Sequence, residues 1–341
     1  MRNLLAGTTF VLVWWLLLLL AVAILGFRYM TAMPGVSFRG RLPPLTDEEG
    51  QIRARLRRHV EALAGEIGER NLWHRDALER ARRYIAGELA GLGYQVRAHQ
   101  YQVWGETVAN LDADLAGRRR AEEIVLLGAH YDSVLGCPGA GDNGSGVAGV
   151  LEVARLLRAS ALDRTVRFAA FVNEEPPFYF TSRMGSLVYA RECRRRRERV
   201  VAMFSLETMG YYADAEGSQR YPFPLGFFYP KCGDFIAFVG NLASRALVRR
   251  SLALFRRETR FPSEGVAALG YLPGIYWSDH WAFWRQGYQA VMVTDTAPFR
   301  YPWYHTPEDT PEKLDYDRMA RVVRGLARLV EHLAGGVGDE R

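Results

Sequence analysis

With 341 residues, 49% apolar and 24% charged, the chain can bury one large core, which argues against a disordered protein and against a polytopic membrane protein. The formal net charge of +6 comes almost wholly from arginine, because Lys231 and Lys313 are the only lysines. That skew fits genome composition better than a nucleic-acid surface, so no nucleic-acid partner is expected and the basic run Arg194–Arg197 reads as a solvated helix end or loop.

Taken in chain order, Leu4–Phe27 comes first: 24 uncharged residues between Arg2 and Arg28. As a helix it would reach roughly 36 Å and cross a bilayer core. A cleaved signal peptide, the alternative, has a shorter apolar region and a small-residue cleavage site. The segment is therefore read as a single-pass anchor over 1–28. Flanking charge alone, Arg2 against Arg28, Arg39 and Arg41, would keep the following domain in the cytoplasm. An N-terminal signal-anchor would instead place it on the periplasmic or extracellular side, which is the expected topology. Residues 29–45, rich in Gly, Pro and Arg without a period, are expected to be a linker lifting a single domain, 46–341, off the membrane.

Thr46 and Glu49 form a capping box ahead of Ile52, Leu56, Val60 and Leu63 at helical spacing. A second helix is expected over Trp73–Leu92, stopped by Gly93. Tyr94–Trp104 and Thr107–Leu115 alternate as two antiparallel edge strands. Short apolar runs follow at Ile124–Ala129, Val166–Val172, Val200–Leu206 and Ala290–Thr294. Helical stretches at Gly146–Ala159 and Ser182–Arg191 separate the first three. This alternation predicts an α/β protein of three layers, α/β/α, with a central mixed, mostly parallel sheet behind one N-terminal transmembrane helix. Tyr211–Gly233 and Phe261–Gly274 read as irregular excursions, and a last helix spans Tyr316–Leu333, capped by Asp315.

Ligands in open α/β sheets bind beyond the carboxyl ends of the strands, and here those positions carry imidazoles and carboxylates. The first central run ends in His130-Tyr131-Asp132, with Asp142 following in a glycine-rich turn. The second ends in Asn173-Glu174-Glu175, the third in Glu207, and His305 lies beyond the fourth. Each residue alone is an ordinary turn or surface group; four strand ends bearing such groups in chain order are not. Of the other histidines, His59, His74, His99 and His332 are expected at the surface, and His280 sits in a polar loop. Nitrogen and carboxylate ligands without thiolates suit catalytic zinc or a similar divalent ion. Cys137, Cys193 and Cys232 lack the spacing for a structural site and allow at most one disulfide. Two ions about 3.5–4 Å apart can share a carboxylate and clamp both nucleophile and substrate oxygen.

The motifs His130-x-Asp132-Ser133, Pro138-Gly139-Ala140-Gly141-Asp142-Asn143, Asn173-Glu174-Glu175, Ser278-Asp279-His280 and Tyr304-His305-Thr306 together resemble the co-catalytic zinc exopeptidases. That family includes bacterial leucyl-type aminopeptidases, glutamate carboxypeptidase and the glutaminyl cyclases, and the resemblance covers Thr46–Leu333. It implies two zinc ions per chain, His130, Asp142 and Glu207 holding one and Asp142, Glu175 and His305 the other. It further implies Glu174 as general base and Asp132 orienting the His130 imidazole. Asp279, His280 and Tyr304 are the candidate substrate-binding residues, with Phe178, Tyr179, Trp277, Trp281 and Trp303 as flanking aromatics that either select substrate or pack the loops. Two positions depart from the family: Glu207 stands where Asp is commoner, and Gly141 replaces an acidic neighbour of the bridging Asp. The implied activity is hydrolysis of a peptide bond near one end of a short peptide, most simply an aminopeptidase. The alternatives are a one-zinc cyclase-type aminoacyl transfer and a non-catalytic ectodomain; a thiol enzyme built on Cys137 has no accompanying nucleophile signature.

Overall fold

The computed structural model describes residues 2–335, with side chains described from Phe10 onward except Val11; the last six residues assigned to the domain lie outside that range. Helix α1 (Arg2–Thr31) leads into α2 (Asp47–Val60) and α3 (Arg75–Gly91). The capping box forms as expected: the Glu49 N–H donates to Thr46 Oγ1 at 3.2 Å and the Thr46 N–H to Glu49 Oε2 at 2.9 Å. Ile52, Leu56, Val60 and Leu63 are all fully buried, each contributing roughly 1.5–3 kcal/mol of transfer free energy.

The sheet holds β1 (Val96–Val103), β2 (Glu106–Leu115), β3 (Arg120–His130), β4 (Arg164–Phe171), β5 (Arg199–Glu207), β6 (Ile236–Asn241), β7 (Ser263–Ala268) and β8 (Ala290–Thr294), in the order β1-β2-β4-β3-β5-β8-β6-β7. β4, β3, β5 and β8 run parallel, and β1 and β2 form the antiparallel edge. Because side chains alternate across a strand, Val125 and Leu127 of β3 pack beneath α2, α3, α4 (Gly146–Leu157) and α8 (Tyr316–Ala334), while Ile124 and Leu126 pack beneath α5 (Gly185–Arg195) and α7 (His280–Trp284). These are the expected three layers.

Three elements differ from the expectation. Phe261–Gly274 contains strand β7, and the stretch before it holds β6 and helix α6 (Arg245–Glu258). β7 is Ser-Glu-Gly-Val-Ala-Ala, poor in strand formers, and at Gly265 its neighbours leave no room for a larger group. A Cβ on Gly265 would meet Leu252 at 2.8 Å and Met33 at 3.2 Å. Met33 belongs to the expected linker, and that segment does not stand clear of the domain. Arg245 Nε donates to the Tyr29 carbonyl at 2.7 Å, Arg256 Nη1 to that of Pro34 at 2.7 Å, and the Ser263 N–H to Ser37 Oγ at 2.8 Å. Lastly, His59 is buried rather than exposed, with Nδ1 2.7 Å from the Tyr84 hydroxyl; an amphipathic helix holds such a residue inward when a hydroxyl meets it there.

Candidate metal centre

Because β3, β4, β5 and β8 are parallel, their carboxyl ends share one edge, and the chain turns sharply as it leaves them. Asn173, Thr208 and His305 have φ of 58°, 46° and 58°, left-handed conformations that non-glycine residues adopt at a cost of order 1 kcal/mol. These turns aim the neighbouring side chains at one point. His130 Nε2 lies 3.1 Å from Asp142 Oδ1 and 3.4 Å from Glu207 Oε2; His305 Nε2 lies 3.0 Å from Asp142 Oδ2 and 3.4 Å from Glu175 Oε1. Asp142 thus offers one oxygen to each imidazole. His130, Asp142 and Glu207 make one group able to hold a metal ion, and Asp142, Glu175 and His305 a second. Glu174 and Glu175 also converge with His130, Glu174 Oε2 being 3.9 Å from Nε2.

The electrostatics fit a cation. Four carboxylates here face two imidazoles, and among the described residues no arginine or lysine lines the adjoining cavity. Burial would push the His130 imidazole down, but Glu207, Glu174, Asp132 and Asp142 drive it well up. For His305, Asp142 and Glu175 likewise overcome burial and raise it to about 10. Burial and neighbouring carboxylates raise Glu174 well above its ordinary value and Glu175 to about 7. His130 Nε2, Asp142 Oδ1 and Glu175 Oε1 are buried without a hydrogen bond among the described residues: they point toward shared space rather than at one another, as ligands of a common ion do. Oxygen and imidazole donors of this kind suit zinc-like divalent ions.

The surroundings hold the ligands. His130 Nδ1 is 3.2 Å from the Asp132 carbonyl oxygen and 3.6 Å from its carboxylate, an arrangement that keeps the proton on Nδ1 and leaves Nε2 free. The Asp132 carboxylate itself accepts the N–H groups of Glu174 and Glu175, each at 3.1 Å. Tyr304 stacks on His305, ring centroids 3.9 Å apart, and lines the cavity. Asp279 is buried, neither carboxylate oxygen has a hydrogen-bond partner among the described residues, and burial raises it to about 7. His280 lies in the core with Nε2 2.7 Å from the Ile275 carbonyl oxygen, and neither Asp279 nor His280 is among the residues lining the cavity.

Several residues have roles that sequence reasoning did not assign, Asp309 and Arg70 having been passed over altogether. Ser278 Oγ donates to Glu207 Oε2 at 2.7 Å. Asn143 ties the Asp142 turn to the end of β5, Nδ2 donating to the Leu206 carbonyl and Oδ1 accepting from Thr208 N–H. Asp309 accepts the N–H groups of Gly141 and Asp142 at 2.7 and 3.1 Å. A Cβ on Gly141 would sit 2.9 Å from Tyr301 and 3.0 Å from Asp309, so the space an acidic side chain would need there is already filled. Buried Arg70 donates to the carbonyls of Tyr131 and Gly139, both at 2.7 Å, holding the loop between. The three cysteines are free, and burial raises the Cys137 thiol, against the low pKa a thiolate nucleophile needs.

Residues 110–330, which carry all of these groups except Arg70, match peptidase family M28. The chain belongs to peptidase family M28. This M28 chain is 37% identical over 284 residues to YfbL of Escherichia coli K12, covering 81% of the chain and 86% of that protein. It is 29% identical over 201 residues to aminopeptidase YwaD of Bacillus subtilis, covering 58% of the chain but only 38% of YwaD. Among solved structures, the Bacillus subtilis zinc aminopeptidase BSAP superposes with a TM-score of 0.68 at 16% identity, over 87% of this chain and 97% of that one. The glutaminyl cyclase of Fimbriiglobus ruber does so at 0.62 and 19% identity, over 86% and 97%. At those identities the structures establish the M28 chain's fold.

Proposed function

We propose that the protein is a membrane-anchored zinc exopeptidase that releases N-terminal residues from peptides. The observation that carries this is Asp142 presenting one carboxylate oxygen to each of two ligand groups. Two zinc ions held by those groups would bring the pKa of a water toward about 7 and polarise the scissile carbonyl. Glu174, buried at the cavity wall with its carboxyl raised, takes the proton of the attacking water and returns it to the leaving amine, the balance a general base requires. Asp132 orients His130, and Tyr304 bounds the substrate beside His305. The adjoining cavity, about 220 Å³ and walled by Val239, Val266, Ile275 and Met292, takes an apolar side chain. The aminopeptidase direction draws support from the names of relatives such as YwaD.

Anchoring draws support from α1, whose window Leu12–Thr31 is apolar and not buried by the domain; with α1 as a signal-anchor, the domain would lie on the periplasmic or extracellular side. The test is hydrolysis of a panel of aminoacyl and peptide substrates by the full chain and by Glu174→Gln. At least one substrate with an apolar N-terminal residue is expected to be cleaved, and Glu174→Gln is expected to keep its metal while losing roughly 10²–10⁴ in rate. Pyroglutamate formation from N-terminal glutamine without hydrolysis would replace this reading with cyclase-type transfer. A variant that loses metal would make Glu174 a ligand instead.

A further inference from the structure

The face of the domain that carries β7 is bound to the end of α1 with no free spacer between them. Besides the contacts of Arg245, Arg256 and Ser263, the Arg245 guanidinium lies 3.9 Å over the Tyr29 ring, Arg249 donates to the Ala32 carbonyl, and Met30 packs on the cluster of Phe235, Val266 and Ile275. The domain is therefore held in one orientation, close against whatever plane the apolar part of α1 ends in.

Beside that end lies the loop Pro222–Tyr229. Phe223, Phe227 and Phe228 are 88%, 79% and 63% exposed, an apolar patch that a soluble surface ordinarily avoids. The Phe228 ring centroid is 4.3 Å from that of Phe27, and Phe27 is the last residue of the uncharged run before Arg28. A loop touching that residue is level with the boundary between acyl chains and headgroups, where aromatic side chains are favoured. The inner side of the same loop faces the other way: Pro222, Leu225 and Tyr229 line the cavity that Asp142, Glu174 and His305 also line. The Tyr229 hydroxyl donates to the Gly265 carbonyl at 2.7 Å, fixing the loop to β7.

We propose that the loop Pro222–Tyr229 rests in the lipid interface beside α1, and that the cavity behind it takes amphiphilic peptides held in that bilayer. The substrate class rests on the peptidase reading and on retention of α1; the loop's position rests on α1 alone. A peptide anchored in the leaflet offers its N-terminal residue at the level of the cavity wall, and confinement to the surface raises its effective concentration.

The experiment uses the full chain in phosphatidylcholine–phosphatidylglycerol vesicles, with a nitroxide on Phe227→Cys in a Cys232→Ser background. Relaxation of the label by oxygen is expected to exceed relaxation by a water-soluble nickel chelate; the reverse order puts the loop in water and overturns the proposal. In the same vesicles, a C-terminally palmitoylated peptide is expected to show a KM roughly ten-fold below that of the unmodified peptide. The double variant Phe223→Ser, Phe227→Ser is expected to shrink that advantage while cleaving the unmodified peptide as the wild type does. Equal KM values for the two peptides would remove the substrate class. If neither peptide is cleaved, the peptidase reading and the substrate class fall together, while the label still decides where the loop lies.

Discussion

At the β1–β2 edge, Asp112 and Asp114 face Arg97 at 2.6 and 2.8 Å, and Arg167 reaches Asp114 at 2.7 Å and Glu198 at 2.6 Å. At the carboxyl ends of β3, β4 and β5, Asp142, Glu174, Glu175 and Glu207 face only two imidazoles. Both clusters are largely withdrawn from water, yet Asp112 in the first is held low while Glu174, Glu175 and Glu207 in the second are raised; in the second only Asp142, where burial is outweighed by hydrogen bonds from His130 and His305, is held low. Burial would raise Asp112, but hydrogen bonds from His99, Arg97 and Tyr189 hold it below its ordinary value. Burial raises Glu174, Glu175 and Glu207, and the neighbouring carboxylates add to the rise. The first cluster is closed by arginines of the chain itself; the second sets four carboxyl groups against two imidazoles, and among the described residues no arginine or lysine lines its cavity. A closed cluster holds the fold, whereas an open one is where a metal-dependent reaction can be housed.

The contrast can be broken from either side. The largest effect is expected from Asp142→Asn, which weakens both ligand groups at once: peptide hydrolysis should fall about 10³-fold or more with the circular dichroism spectrum unchanged. Chelation of the wild type should reproduce the loss and added zinc reverse it. Arg167→Met opens the closed cluster instead. Urea unfolding should then show a loss of about 2–4 kcal/mol, the cost of leaving the part-buried Asp114 and Glu198 without their partner, while activity per folded molecule stays near wild type.

The imidazoles divide in the same way. His130 and His305 are raised among carboxylates, whereas burial depresses His59, beside a tyrosine hydroxyl, to about 4. The unfolded chain binds that proton near pH 6.5, the folded chain only near 4, so the stability His59 contributes is fully present above 6.5 and is lost as pH falls toward 4. The loss amounts to about 3 kcal/mol at most, and His59→Gln should flatten the stability curve across that window. The smallest effect is expected from Ser278→Ala: Glu207 loses one hydrogen bond, and metal affinity should fall roughly ten-fold with the fold intact.

The sheet's centre was legible because β3, β4, β5 and β8 are buried on both faces and read as continuous apolar runs. β7 was not, since Gly265 is small to admit Leu252 and Met33, a requirement written in other parts of the chain. The linker's attachment was equally hidden, because Arg245, Arg249 and Arg256 bind its carbonyl oxygens, which every residue type provides. At the centre, the imidazoles and carboxylates that converge were legible from their positions just after strands. Asp309 was not, because it acts on backbone N–H groups of the Asp142 turn, and the roles of Asn143 and Ser278 within their motifs were not, because their partners at the end of β5 are 63 to 71 residues away.

The measurement that tests the account most directly is the metal content of the purified full chain, wild type and Asp142→Ala, by elemental analysis. The account predicts two zinc ions per wild-type chain, and loss of both when the shared carboxylate is removed. One ion per wild-type chain, or a variant that still holds two, would contradict a centre built on Asp142 as the bridge.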